Sequence, residues 1–558
     1  MTVTAAGSRV AEVFAALDRH PTVFLSVRPA AEVAADYERS VAAGGPLAGR
    51  LLAVKDNVDV AGLPTTAACP GYAYTPDVDA PAVAALRAAG AVVLGKTNLD
   101  QFATGLVGTR SPYGAVPDSR RPGRISGGSS SGSAVAVALG LADLAIGTDT
   151  AGSGRVPAGL QGIVGVKPTV GAISTDGVVP ACAEYDTVTV FARTLAEADD
   201  AMAVMAAAVG PAAFPATTRF AAPANPVLVV PAELPELDAS WRAGFERAVA
   251  RARGAGMTIR RIDLQPFLDA AKLLYEDALV AQRHDAVGEF LAANADSAAA
   301  GLDPTVAGII GAADRFSAVD LLRARRRLAD LRAEAMDRWG DATALLVPTA
   351  PGHPAIAEVA ADPVGVNSRM GTYTNFCNLF DLCGLAIPAG TVDDPDGTVA
   401  QFGVTLLGKA HEDAVLIDLA RRMGDEPVVA RAWPEAVAPT VELAVFGAHM
   451  RGGPLVHELA DRGARWSGEI VTAPAYRLVA LDTVPPKPGL IRDPAVGRAI
   501  RGEVWTLSPA ALGDFLAVLP EPMMLGNVEL TDGSWVTGFG CAADAGSAGT
   551  EVDRDRWF

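Results

Sequence analysis

Short β-like runs alternate with alanine-rich helical runs over the first three-quarters of this chain. That alternation constrains the fold more than any other feature. The LLAV run at 51–54 reads as a buried strand. Residues 81–89 read as a helix that opens on Pro81, where a first helical turn tolerates proline. Gly90 ends that helix, and the AVVL run at 91–94 reads as the next strand. A helix is expected at 133–141, a strand at 144–147 and another strand at 345–349. This pattern predicts an α/β layered fold around a sheet.

At 558 residues the chain exceeds one ordinary domain, and with 50% hydrophobic and 20% charged residues it can build a sizeable core. The composition breaks near Gly424, where GDEPVVARAWPEAVAPT carries three prolines and no period. The expected division is therefore 1–425, a linker at 426–440, and a smaller domain at 441–558. Lys plus Arg is 46 and Asp plus Glu is 64, so the net charge is −18. Such a surface repels phosphate backbones and argues against a nucleic-acid partner. Five cysteines, widely spaced and without a CxxC pair, give neither a disulfide framework nor a metal site. A reduced cytoplasmic setting fits them. The longest apolar stretch, 201–214, contains Pro211 and is too short to span a bilayer, so no membrane association is expected.

Three segments carry chemistry. ISGGSSSGS at 125–133 runs straight into a helix, which a solvated Gly/Ser linker would not do. Its small residues allow tight turns beside the free N–H groups of a helix start. GTDTAGSGR at 147–155 follows a strand and offers a serine among amides able to form an oxyanion hole. Taken alone, it is equally an ordinary capped loop. Lys55 ends the strand at 51–54. A lysine there is usually surface-directed or paired, here with Asp56; if buried, it can become a neutral base. Two pattern matches compete. Gly90 to Thr97 fits the GxxxxGK[ST] phosphate loop, but its middle is an apolar strand rather than a loop opening a helix. Gly128 to Gly132 fits the GxSxG nucleophile elbow around Ser130, which needs a histidine such as His284, His353, His411, His449 or His457.

Together the segments AVKDN, SGGSSSGSA and GTDTAGSGRVPA resemble the amidase signature family, in the family's order and with spacings of 74 and 24 residues. The resemblance implies a mixed central β-sheet sandwiched by helices, followed by a smaller α+β C-terminal domain. It implies Ser153 as nucleophile, Ser129 as a bridging serine after a cis peptide bond from Gly128, and Lys55 as the base. The backbone N–H groups of Thr150, Ala151, Gly152 and Ser153 would form the oxyanion hole. A serine hydroxyl is a weak nucleophile until a base takes its proton, and lysine serves only when neutral. No cofactor is implied.

Within the family, LGKTNLDQFATGLVGTRSPYGA, GTYTNFCNLFDLCGLAIPAG and VFGAHMRGGPLVHELADRGARW resemble the allophanate hydrolase branch. That branch holds its substrate with a Tyr and an Arg eight residues apart, which assigns Tyr275 and Arg283. An arginine fork suits a carboxylate, and a phenol adds a hydrogen bond. By spacing alone, the pair reads as a core tyrosine and a solvated helical arginine. The chain departs from the branch here: DALVAQR stands at 277–283 where a Gly-Pro-Trp-Val-Ala-Glu-Arg run is usual. The resemblance further implies a small-molecule amide substrate, a separate urea carboxylase as pathway partner, and a homodimer. It places His449, then His457, as candidates for a decarboxylation step in the C-terminal domain, with Lys487 to help hold an anion. A structural or dimerisation role for that domain is the bland alternative. The rival readings are an amidase for a malonamide-like or neutral amide, a tRNA-dependent amidotransferase subunit, and a catalytically silent scaffold.

Overall fold

The structure, a computed structural model, describes residues 5–210, 214–295, 300–394, 396–424 and 432–557. Eleven strands form the main sheet: β1 (Phe24–Val27), β2 (Leu51–Lys55), β3 (Val92–Thr97), β4 (Leu144–Asp149), β5 (Val164–Lys167), β6 (Thr187–Ala192), β7 (Val227–Pro231), β8 (Thr258–Ile262), β9 (Ala344–Pro348), β10 (Leu382–Asp393) and β11 (Val399–Lys409). Their spatial order is β1-β3-β2-β4-β6-β5-β10-β11-β9-β7-β8. The sheet is mixed. β2 runs parallel to β3 and β4, whereas β6 is antiparallel to β4 and β5.

Strand β2 shows why this centre forms. Alternate residues point to opposite faces of a strand. Leu52 and Val54 enter one apolar cluster, and Leu51 and Ala53 enter another. Both faces are covered, so the strand reads as a continuous apolar run. Each buried Leu or Val contributes about 1.5–3 kcal/mol relative to exposure. The helix Ser131–Ala138 lies inside the protein and is apolar all round apart from its serines. It sends the Ser133 hydroxyl to the Ile146 carbonyl of β4 (2.9 Å). Strand β3 continues through Gly95, Lys96 and Thr97, so the phosphate-loop match falls inside a strand.

A second body follows. It comprises β12 (Val441–Val445), β13 (Arg465–Val471), β14 (Tyr476–Leu481), β15 (Lys487–Arg492), β16 (Arg501–Leu507), β17 (Met523–Glu529), β18 (Trp535–Cys541) and β19 (Thr550–Val552). They make a five-stranded sheet, β13-β16-β12-β18-β17, and a three-stranded one, β15-β14-β19. The Phe220 amide donates to the Gly463 carbonyl (2.8 Å), and Arg465 grips Glu435 through two guanidinium nitrogens. These contacts join the second body to the first. Of the predicted linker, 426–431 lies outside the described residues. Residues 432–440 are seated on the first body. Trp433 is buried, donates its amide to Asp199 (3.0 Å) and meets the Phe214 ring edge-on at 5.3 Å.

Candidate active site

Parallel strands β2 and β4 end side by side, and the candidate residues stand at or just beyond their carboxyl ends, where open α/β sheets favour a site. Lys55 is fully buried at the end of β2. Its Nζ donates to Ser129 Oγ at 2.8 Å and to Thr148 Oγ1 at 2.7 Å. The neighbouring carboxylate does not neutralise it. Asp56 turns to Lys96 (3.3 Å) and to the Thr66 amide (2.9 Å). Burial, aided by Arg283 and opposed by Asp100, Asp149 and Asp186, pulls Lys55 down to about 7. An ammonium that titrates near neutrality is available as a base.

The peptide bond from Gly128 to Ser129 is cis. Gly128 is needed there for close approach: a Cβ would stand 2.1 Å from Asp100 Oδ2 and 2.7 Å from the Gly108 nitrogen. The Ser130 amide donates to the Ser153 carbonyl (3.3 Å), which lays the two loops together. Ser153 Oγ donates to the Gly105 carbonyl at 3.5 Å, and no hydrogen bond to Ser129 occurs among the described residues. The loop bearing Ser153 is braced by a residue pair that the motif reading passed over. Asp149 accepts from Arg155 through both oxygens, Nη2 at 2.8 Å and Nε at 2.9 Å, and both side chains are fully buried. Burial alone would raise the Asp149 carboxyl, but Arg155 holds it below its usual value.

The same carboxylate engages one of the four amides expected at the oxyanion hole. The Gly152 amide already donates to Asp149 Oδ1 at 2.8 Å, because a buried carboxylate attracts the nearest free N–H. The amides of Thr150, Ala151 and Ser153 have no protein acceptor among the described residues.

Tyr275 and Arg283 meet. Arg283 Nη2 donates to the tyrosine oxygen at 3.0 Å, with the guanidinium carbon 4.9 Å from the ring centre. Arg283 Nη1 donates to Thr104 Oγ1 at 3.0 Å, and its Nε is buried without a partner. No carboxylate lies within ion-pair distance of Arg283 among the described residues. The substituted Gln282 points elsewhere and donates to Glu184 at 3.0 Å. A cleft of about 760 Å³ reaches Tyr275 from the surface.

The amidase family profile matches residues 8–417, and that of the allophanate hydrolase C-terminal domain matches 441–555. The chain belongs to the amidase family. It is 42% identical over 526 residues to the urea amidolyase of Lachancea kluyveri, covering 89% of this chain and 28% of that protein. It is 40% identical over 546 residues to the urea amidolyase of Saccharomyces cerevisiae, covering 92% of this chain and 29% of that one. The chain thus spans less than a third of these curated relatives. The solved allophanate hydrolase of Kluyveromyces lactis superposes with a TM-score of 0.87 at 38% identity, covering 98% of this chain and 95% of that one.

Beyond the amidase-family body, His449 is buried in the second body, stacked on Phe539 (5.1 Å), and shares a hydrogen bond of 2.9 Å with Glu458. Burial lowers its pKa against the pull of Glu458. Lys487 lines the same small cavity, as do Phe446 and Met523. His457 lies on the short helix Val456–Ala460, one residue before Glu458. The nucleophile-elbow reading fails on contacts. Ser130 Oγ donates to the Thr148 carbonyl (3.1 Å), while His353 bonds the Ile125 carbonyl and His284 faces Asp314. Sequence reasoning missed Thr148, Asp149, Arg155 and Asp100. The first three stand in or beside the quoted GTDTAGSGR run, and charge pairing across Ser153 was the signal available.

Proposed function

We propose that this protein hydrolyses allophanate, the carboxylated form of urea, through an acyl-enzyme on Ser153. The observation that carries this reading is the buried Arg283 guanidinium, bonded to Tyr275 and with no carboxylate at ion-pair distance among the described residues, beside a lysine–serine relay. A planar fork without its anion is a receptor for one. Allophanate supplies a carboxylate at one end and a carboxamide at the other.

In this reading Ser153 Oγ rotates from the Gly105 carbonyl to Ser129. Neutral Lys55 accepts the proton passed through Ser129 as Ser153 attacks the carboxamide carbon. The amides of Thr150, Ala151 and Ser153 steady the oxyanion. The proton returns to the leaving nitrogen, ammonia departs, and water cleaves the acyl-enzyme to N-carboxycarbamate. Loss of carbon dioxide follows. His449 in the 441–558 domain is the candidate to assist it, with 1–425 as the hydrolytic domain and 426–440 as the connection.

The substrate must come from ATP-dependent carboxylation of urea. The relatives named urea amidolyase support a urea carboxylase as partner, whether separate or fused. No helix among the described residues is long and apolar enough to cross a membrane. The cytoplasmic setting rests on the widely spaced cysteines and the homodimer on the family resemblance; light scattering of purified protein tests the latter. The deciding experiment is ammonia release from allophanate beside malonamide, biuret and a simple aliphatic amide. Strong preference for allophanate, abolished by Ser153→Ala, is expected. Inert allophanate with turnover of a neutral amide overturns the substrate.

A further inference from the structure

The anion clamp and the nucleophile are joined through two successive residues, Thr104 and Gly105, to which the family resemblance assigned no role. Thr104 is fully buried. Its hydroxyl accepts from Arg283 Nη1 at 3.0 Å and donates to the Phe102 carbonyl at 3.2 Å. Its carbonyl accepts from Arg110 Nη1 at 2.8 Å. The next residue, Gly105, offers its carbonyl to Ser153 Oγ at 3.5 Å. A single peptide unit therefore separates the group holding the guanidinium from the group holding the nucleophilic hydroxyl.

This segment is fixed in place. Phe102 and Ala103 both adopt left-handed backbone, with φ of 49° and 52°. Residues with side chains persist there only where packing holds them. Asp100 accepts the amides of Val107 (3.1 Å), Gly108 (2.9 Å) and Arg110 (2.9 Å), which closes the loop. A Cβ on Gly105 would stand 2.6 Å from the Asp100 carboxylate. Arg110 spends its other Nη on the Pro363 carbonyl at 2.6 Å. Of the five N–H donors on Arg283, the protein engages one on each Nη. The remaining donors, the buried Nε among them, have no acceptor among the described residues.

We propose that Thr104 is a positioning residue: it fixes Arg283 relative to Ser153 and so sets the discrimination between carboxylate-bearing and neutral ureas. The proposal rests on the reading that Arg283 takes the substrate carboxylate. A satisfied buried hydroxyl with no such role would, on removal, affect every substrate alike.

The test compares kcat/KM for allophanate and for biuret, its neutral counterpart, in wild type, Thr104→Val and Thr104→Ser. Thr104→Val keeps the side-chain shape and the carbonyl used by Arg110, but leaves a buried Arg283 donor unpaired. The allophanate-to-biuret ratio should fall about tenfold or more, mainly through KM, and Thr104→Ser should restore it. Equal losses on both substrates, or an unchanged ratio, overturn the proposal. Should Thr104→Val not fold, Thr104→Ala carries the same expectation. A second measurement needs no turnover: calorimetric binding of malonamate to Ser153→Ala protein should weaken by a similar factor when Thr104 is also changed to Val. Equal binding overturns the proposal. The two readings separate cleanly. If allophanate is inert but malonamate binds through Thr104, the substrate falls and Thr104 stands. If allophanate is strongly preferred and Thr104→Val leaves that preference intact, the reverse holds.

Discussion

Lys55 acts as a base only in its uncharged form, and its surroundings decide how often that form exists. Burial brings it to about 7. The expected kcat/KM therefore rises with pH through a midpoint near 7 and levels off above it. Lys55→Arg, which cannot shed its proton at such a site, should lose about 10²–10⁴-fold without regaining activity at high pH. A pH–rate profile of ammonia release checks both statements. The same residue carries a cost in stability. An unfolded lysine titrates near the ordinary value of 10.5 and the folded one near 7, so between these values the unfolded chain holds the extra proton. Stability then rises with pH across that window, and the full penalty applies at and below about 7. Lys55→Met should unfold later than wild type at neutral pH, with the advantage shrinking toward 10.5. Thermal or denaturant unfolding at several pH values reads this, and a destabilised Lys55→Met protein would contradict it.

Loops bring these side chains together, and they tolerate little. The serine-rich loop before the helix Ser131–Ala138 passes so close to Asp100 and Gly108 that Gly128 has no room for a methyl group. Gly128→Ala should cost roughly 100-fold or more in turnover, on the scale of losing one well-placed catalytic contact. Circular dichroism beside ammonia release distinguishes local damage from unfolding, and near-normal activity would contradict the packing argument. Such loops also mark the limit of what the residues disclosed. The strands at 51–54 and 144–147 were legible because both faces are apolar, and each runs one or two residues further in the structure. Strand β3, expected at 91–94, runs from Val92 through Lys96 to Thr97. Lys96 stays buried because Asp56 and the Pro64 carbonyl receive its ammonium. Lys55, Ser129 and Ser153 were legible as a family pattern. The Asp149–Arg155 brace and Thr104 were not: their partners lie across turns with no period, and only the fold brings them into contact. The contact of the Gly152 amide with Asp149 was hidden for the same reason.

Across the whole molecule, charge works against the proposed substrate. The chain carries −18, and the cleft leading to Tyr275 is bordered by Glu236, Glu276, Glu358 and Asp362 against Lys272 and Arg369. Tyr275, the partner of Arg283, lines this cleft, whereas Arg283 and Ser153 do not; on a path of entry through it, an anionic substrate meets a net negative rim. These two fields respond differently to salt. Exposed charges are screened over a Debye length of about 10 Å at 0.1 M, whereas a buried guanidinium is screened much less. Added monovalent salt should therefore weaken the repulsion more than the attraction. The value of kcat/KM for allophanate should rise severalfold between roughly 10 mM and roughly 100 mM salt, while biuret, having no charge, stays flat and serves as the control. A fall for allophanate with a flat biuret response would mean that the cleft as a whole attracts anions and that the acidic rim lies off the path of entry. Charge reversal at the rim gives the matching arm. Glu276→Lys, one residue from Tyr275, should raise allophanate kcat/KM at low salt and flatten its salt dependence, because it removes the repulsion that salt otherwise screens.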